Sequence, residues 1–151
     1  MKLVIQVVSK ASVRVEGETV GAIGKGFMTL VGIAENDNAA IADKMLEKML
    51  KLRIFPDENG KTNLSIRDVG GELLLISQFT LYADTSHGNR PGFTTAGKPE
   101  MAEPLYRYFC DQAEKAGMRV GRGIFGADMQ VSLVNEGPFT IILDSDEIIK
   151  K

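Results

Sequence analysis

One cysteine and one histidine stand in 151 residues, and each scarcity closes off a class of chemistry. The lone Cys110 can form no internal disulfide and build no cysteine zinc site. The lone His87 excludes a multi-histidine metal centre, and no carboxylates fall at ligand spacing, so neither a metal nor a cofactor is expected. Long apolar runs are also missing: none approaches the roughly 20 residues that cross a bilayer. The opening Met1-Lys2-Leu3-Val4-Ile5-Gln6 turns polar too early for a secretory leader. These absences point to the cytoplasm and to no membrane partner. Charge of one sign is lacking as well. A net charge of −2 argues against a broad basic face that coats nucleic acid, and no DNA partner is expected. It leaves open a protein that grips only the end of an RNA.

The composition that remains, 44% hydrophobic and 25% charged, is that of an ordinary globular chain. Its length suits one domain, 1–151, with a real core; chains of this size bury roughly two-thirds of their unfolded surface. Lys2–Val8, Ala11–Val15, Thr19–Ile23 and Phe27–Ala34 read as four strands joined by short turns, hence an antiparallel meander. Ile41, Met45, Met49 and Leu52 recur at helical spacing behind Asn38, so a helix is predicted over 38–52, its methionines filling the core. Short strands are expected at Arg53–Phe55 and Asn63–Ser65, and a buried one over Leu73–Leu81. A second helix is expected over Glu100–Ala116, with Pro104 in its first turn, Leu105, Tyr108, Phe109 and Ala113 buried, and Cys110 as a small core or boundary residue. Strands at Met118–Arg122, Met129–Val134 and Phe139–Leu143 and a charged tail from Asp144 complete the chain. The expected fold is α+β, a mostly antiparallel, barrel-like β-sandwich with two helices packed outside.

Two stretches break this pattern. Ser77-Gln78-Phe79-Thr80-Leu81 puts three polar side chains at the end of the apolar run Leu73–Ile76. Buried hydroxyls and amides need partners, so these residues either cap the strand or line a pocket. Strand alternation would set Ser77 and Phe79 on one face and Gln78 and Thr80 on the other. Asn135-Glu136-Gly137-Pro138-Phe139-Thr140 is the second break; Pro inside a strand-rich run belongs at an edge, an end or a bulge. Between them, residues 83–99 form a Gly-, Thr-, Ser- and Pro-rich loop carrying His87, Asn89, Arg90 and Phe93. Long loops of this kind are often functional, though mobility alone is an equal reading.

Known catalytic motifs do not fit. Ser77, Asp84 and His87 lack the Gly-x-Ser-x-Gly elbow of a hydrolase triad, and Gly21–Gly26 lacks the spacing of a phosphate loop. A site without a strong side-chain base can still hydrolyse an activated ester. It does so when backbone N–H groups stabilise the oxyanion and binding positions the water. Ser77, Gln78, Thr80 and the N–H groups of Phe79 and Thr80 are suited to that work.

Ser77–Asp84, Asn89-Arg90-Pro91, Phe125-Gly126-Ala127-Asp128-Met129-Gln130-Val131 and Asn135–Pro138, in this order, closely resemble the D-aminoacyl-tRNA deacylase family. Ile5-Gln6, Ala11-Ser12-Val13 and Leu52–Phe55 extend the likeness over nearly the whole chain. Gly92, Glu136 and Phe139 depart from it, where Ser, Asp and Val are common. The resemblance implies a cytoplasmic homodimer that hydrolyses the ester of D-aminoacyl-tRNA and of mischarged glycyl-tRNA, with the active sites at the subunit interface. It implies a catalytic wall at Ser77, Gln78, Phe79 and Thr80, and substrate contacts from Met129, Asn135, Gly137 and Pro138. It further implies a cis Gly137–Pro138 peptide that reaches the partner's site and leaves no room for an L side chain. Thr80 as nucleophile and assistance by the terminal ribose 2′-OH are alternatives; nothing in the sequence activates Thr80, which favours the second. The partner is the aminoacylated 3′ end of tRNA, with Arg119, Arg122 and Lys51 as unranked basic candidates for contacting it. A tRNA-end binding module and an esterase of small substrates are the rival readings.

Overall fold

A computed structural model describes residues 1–149. Among them, strands run over Lys2–Val15 (β1), Glu18–Ile23 (β2), Gly26–Gly32 (β3), Phe55–Pro56 (β4), Thr62–Leu64 (β5), Glu72–Ser77 (β6), Val120–Arg122 (β7) and Gln130–Asp144 (β8). Helices cover Ala39–Lys51 (α1), Pro99–Lys115 (α2) and Ser145–Ile148 (α3), with a 3-10 turn at Phe79–Tyr82.

The long first strand organises the sheet. One edge of β1 carries β8, from Lys2↔Asp144 to Arg14↔Gln130. Its other edge carries β3 along Lys2–Val8 and then β2 along Ala11–Val15. From β3 the sheet continues in parallel to β6 and β7. Each parallel step needs a crossover, and α1 and α2 supply the two. The barrel nearly closes where β7 approaches β2: a Cβ on Gly21 would lie 2.9 Å from the Arg122 carbonyl oxygen, so glycine is needed there. The result is an α+β fold around a barrel-like mixed sheet.

The centre of the sheet, β3 and β6, is buried on both faces. Under α1 and α2 lie Leu3, Ile5, Phe27, Val31, Met45, Met49, Leu73, Leu75 and Phe109. The barrel interior holds Val8, Ala11, Val13, Ile23, Met28, Leu74 and Ile76. Strand β6 therefore alternates between two cores, which explains its unbroken apolar run. Each fully buried Leu or Ile there contributes about 1.5–3 kcal/mol. Asn38 caps α1, its Oδ1 accepting from Ile41 N at 3.0 Å, and the α1 methionines Met45 and Met49 are fully buried.

Several expectations change. Lys2–Val8 and Ala11–Val15 are one strand, since pairing with β8 resumes at Lys10 after a one-residue irregularity at the exposed Ser9. The opening is no meander: three strands form, with β1 in the middle. The strands expected at Met129–Val134 and Phe139–Leu143 are likewise one strand, β8, which begins at Gln130 and leaves Met129 in the connection before it. Pro104 is the sixth residue of α2, past its first turn. Tyr106, not Tyr108, is the fully buried tyrosine; Tyr108 donates to Asp43 at the surface. The expected Leu73–Leu81 strand stops at Ser77. The Gln78 N–H still donates to the Val31 carbonyl (2.8 Å), but Leu81 N–H then folds back to Gln78 O (3.3 Å). Gly32 permits that fold: a Cβ there would lie 2.9 Å from the Leu81 Cβ. The tail from Asp144 begins with α3, and Lys150 and Lys151 lie outside the described residues.

Candidate active site

A pocket of about 300 Å³ lies where β6 ends and the β7–β8 connection passes. One wall is Ile76, Ser77, Gln78 and Phe79; the other is Phe125 to Met129, with Val131 beyond. Four of the residues singled out from sequence, Ser77, Gln78, Phe79 and Met129, thus meet in space. The sequence reading missed Ile76, Phe125–Asp128 and Val131 as lining. The signal available was the Gly123–Asp128 connection, whose Gly126 takes φ +77° and lets it turn tightly. Gly123 serves the same wall: a Cβ there would lie 2.6 Å from the Met129 sulfur.

Because the strand gives way to a 3-10 turn after Ser77, Ser77, Gln78 and Phe79 line one pocket, although alternation set Gln78 on the face opposite the other two. The Gln78 amide Nε2 donates to Thr80 Oγ1, so the two side chains form one unit at the pocket's edge. Thr80 itself does not line the cavity. The N–H groups of Phe79 and Thr80 open the turn, where a helix leaves its first donors without internal partners. Phe79 is 55% exposed and meets Phe93 edge-on at 4.9 Å between ring centres. That contact fastens the 83–99 loop to the pocket mouth. The loop is less structureless than its composition suggests, since Asp84 and Gly92 exchange two backbone bonds of 2.8 and 2.9 Å. Asp84 also accepts from the Ser86 hydroxyl and N–H, which hold its carboxyl below the usual range. With its carboxylate so engaged, Asp84 orients no histidine.

Asn135, Gly137 and Pro138 lie elsewhere, on β8. Between the pairs Gln6↔Thr140 and Val8↔Asn135, β1 has one residue and β8 has four, so Glu136–Phe139 bulge out of the ladder. The Asn135 side chain ties the foot of the bulge: its Oδ1 accepts from Phe139 N (3.0 Å) and its Nδ2 donates to Thr140 Oγ1 (3.1 Å). Glu136, Gly137 and Pro138 at the tip are exposed, and the Gly137–Pro138 peptide is cis. A larger cavity of about 470 Å³ lies between β1, β2 and β8, lined by Ala11, Ile23, Leu133 and Val134; it contains none of the candidate catalytic or substrate-contacting residues.

The three basic candidates are all ion-paired. Lys51 meets Glu47 at 2.5 Å, Arg119 meets Glu72 at 3.1 Å, and Arg122 meets Asp111 and Glu114 at 2.7 and 2.9 Å. Burial works against the Arg122 charge, but the two carboxylates outweigh it and raise its pKa. Among the described residues no group of three or more His, Cys, Asp or Glu could hold a metal ion, and no helix is long and apolar enough to cross a membrane.

With this geometry in hand, the relatives of the chain are informative. The family model for D-Tyr-tRNA(Tyr) deacylase matches residues 4–144. The D-aminoacyl-tRNA deacylase of Lactobacillus acidophilus is 54% identical over 95% of this chain and 99% of that protein. That of Clostridioides difficile is 50% identical over 97% of this chain and 99% of its own. Among solved structures, a c-Myc DNA unwinding element binding protein superposes with a TM-score of 0.90 at 43% identity, over 95% of this chain and 98% of that one. A probable eukaryotic D-amino acid tRNA deacylase shares the fold at a TM-score of 0.85 and 17% identity, over 94% of this chain and 97% of its own. The chain belongs to the D-aminoacyl-tRNA deacylase family, a family of hydrolases.

Proposed function

We propose that this protein hydrolyses the ester bond of D-aminoacyl-tRNA, and of glycine mischarged on tRNA, releasing the amino acid and free tRNA. It does so in the cytoplasm, as a step of translation quality control. Family membership supports the reaction, and one observation carries its location: the Ser77–Phe79 wall and the Phe125–Met129 wall meet around a single pocket.

The chemistry fits a site that stabilises charge and has no strong base. The Phe79 and Thr80 N–H groups are placed to receive the oxyanion that develops when water attacks the ester carbonyl. Gln78 donates to Thr80 Oγ1, and an amide donor cannot remove the hydroxyl proton. Thr80 is therefore not the nucleophile, and the terminal ribose 2′-OH of the tRNA assists the attacking water. Thr80→Ala then keeps turnover within about tenfold, whereas a lost nucleophile or base costs far more. A tRNA ending in 2′-deoxyadenosine loses turnover with the wild-type protein; undiminished hydrolysis of that substrate would contradict the 2′-OH role.

The working enzyme is a homodimer. Strand β8 is 15 residues long, has a free outer edge and exposes Val134 and Ile142, a surface suited to a second copy. In that dimer the Gly137–Pro138 bulge of one protomer enters the other's pocket, where its backbone excludes an L side chain by steric clash. Glycine has no side chain to exclude, so its ester passes the same filter. The partner is tRNA and not duplex DNA: excess duplex DNA is expected to leave turnover unchanged, and competitive inhibition by it would favour the DNA reading instead.

A further inference from the structure

The two walls of the pocket belong to different strands, and inside the pocket they meet only through apolar side chains, Ile76 against Met129 and Val131. One wall continues from β6 and the other from β7. Behind both lies α2, and one side chain of α2 touches both. The Tyr106 hydroxyl, in a side chain only 4% exposed, donates to the Leu75 carbonyl at 2.6 Å. Leu75 immediately precedes Ile76, where the first wall begins. The Tyr106 ring lies 6.2 Å from that of Phe125 in the second wall, tilted by 45°. The same Leu75 oxygen also accepts from Gly123 N–H at 3.2 Å, the residue where the second wall leaves β7. One carbonyl with both lone pairs engaged therefore fixes the point from which the walls diverge.

The grip of α2 does not end there. Arg122, immediately before Gly123, is held by Asp111 and Glu114 on α2 at 2.7 and 2.9 Å. Cys110, one turn beyond Tyr106, lies beside its hydroxyl within the same buried cluster. A buried hydroxyl on a carbonyl that β7 already satisfies is more than the ladder requires. Its effect is to fix the end of β6 against lateral shift.

We infer that Tyr106 is a positioning residue for the hydrolysis: through the Leu75 carbonyl and the Phe125 ring it sets the separation of the two pocket walls. It never touches the substrate. Its influence passes along the backbone from Leu75 to Ser77 and on to the Phe79 N–H, and across a ring contact to the 125–129 wall. Small displacements of oriented donors lower the rate far more than they lower binding, and shifts near 1 Å can cost about a hundredfold. The inference rests on the deacylase reading of this pocket.

Tyr106→Phe keeps the ring and releases the carbonyl, and Tyr106→Leu loses both contacts. With D-Tyr-tRNA, Tyr106→Phe is expected to lower kcat roughly tenfold per folded site, with KM within about twofold, and Tyr106→Leu to lower kcat further. Amide hydrogen exchange, which needs no substrate, should quicken at residues 76–82 and 123–129 of the folded Tyr106→Phe protein and stay unchanged in α1. A residue that only supports the fold would reduce the folded fraction and leave kcat per folded site at the wild-type value; that result overturns the inference. If Tyr106→Phe does not fold, Arg122→Gln decides. It frees β7 from α2 outside the pocket lining, and a lowered kcat at constant KM supports the brace while wild-type kcat overturns it. Absence of turnover by the wild-type protein itself would instead sink the deacylase reading.

Discussion

Two apolar strands of this protein are interrupted by polar residues, and the interruptions end differently. At Ser77 the strand β6 stops and a 3-10 turn begins. At Asn135 the strand β8 pushes out a four-residue bulge and resumes. The neighbours account for the difference. Strand β6 is central, flanked in parallel by β3 and β7 and buried on both faces, so its polar residues can escape only by leaving the sheet. Among the described residues strand β8 pairs with β1 on one side and with no strand on the other, so extra residues loop outward without breaking the ladder. The central interruption is pinned from behind by α2 and forms a pocket. The edge interruption is exposed and forms a projection. In the proposed dimer, the projection of one copy completes the pocket of the other.

The widest separation between the two regions should appear in stability. Leu74 is fully buried inside the barrel, and Leu74→Ala is expected to cost about 3 kcal/mol. Ile142 is 66% exposed, and Ile142→Ala should change protomer stability by less than about 0.5 kcal/mol. Denaturant unfolding reads both, and equal losses would erase the distinction.

Alkali should attack the pinned side next. Burial pushes the Cys110 thiol behind the pocket from 9.0 up to about 11, and burial raises Tyr106 too. A raised pKa means that the neutral form is the one that fits. Its contribution is full below pH 9 and fades as pH rises to about 11, by on the order of 2 kcal/mol for the thiol. Cys110→Ala should flatten that part of the pH profile; a profile identical to wild type would contradict it. The same burial should keep Cys110 unreactive toward alkylating reagents at pH 8 until the protein unfolds.

On the exposed side, Gly137 takes φ +130°, and a Cβ there would lie 3.0 Å from Phe139 N, so Gly137→Ala must shift the tip of the bulge. Discrimination between D- and L-aminoacyl-tRNA should fall roughly tenfold or more while the protomer stays folded. Unchanged discrimination would remove the bulge from the chiral filter. The smallest effect belongs to Gln78→Ala, which frees the Thr80 hydroxyl and should lower turnover about threefold to tenfold. Wild-type turnover in that variant would show the Gln78–Thr80 unit to be structural.

Local features were legible in the sequence to different depths. The α1 boundaries could be read from Asn38 and the Ile41–Met45–Met49 spacing, because caps and helical periodicity are local. The continuity of β1 and β8 was not legible, because Ser9-Lys10 and Gly137–Pro138 look like breaks and only the facing strand shows that pairing survives them. The parallel β3–β6–β7 ladders were hidden for a like reason: they join residues dozens apart. At the site, the polar residues after Ile76 stood out by themselves. Their meeting with Met129 depends on β7 ending beside Leu75, which no spacing encodes. The meeting of Gln78 with Ser77 and Phe79 in one pocket was obscured by strand alternation continued past the residue where the strand ends.

The central claim is that this pocket removes D-amino acids, and spares L-amino acids, esterified to tRNA. Hydrolysis of D-Tyr-tRNA beside L-Tyr-tRNA by the purified protein tests it most directly. Rapid loss of the D ester with the L ester intact is expected. Loss of both at similar rates would leave an esterase without the Gly137–Pro138 filter, and loss of neither from a folded protein would contradict the account as a whole.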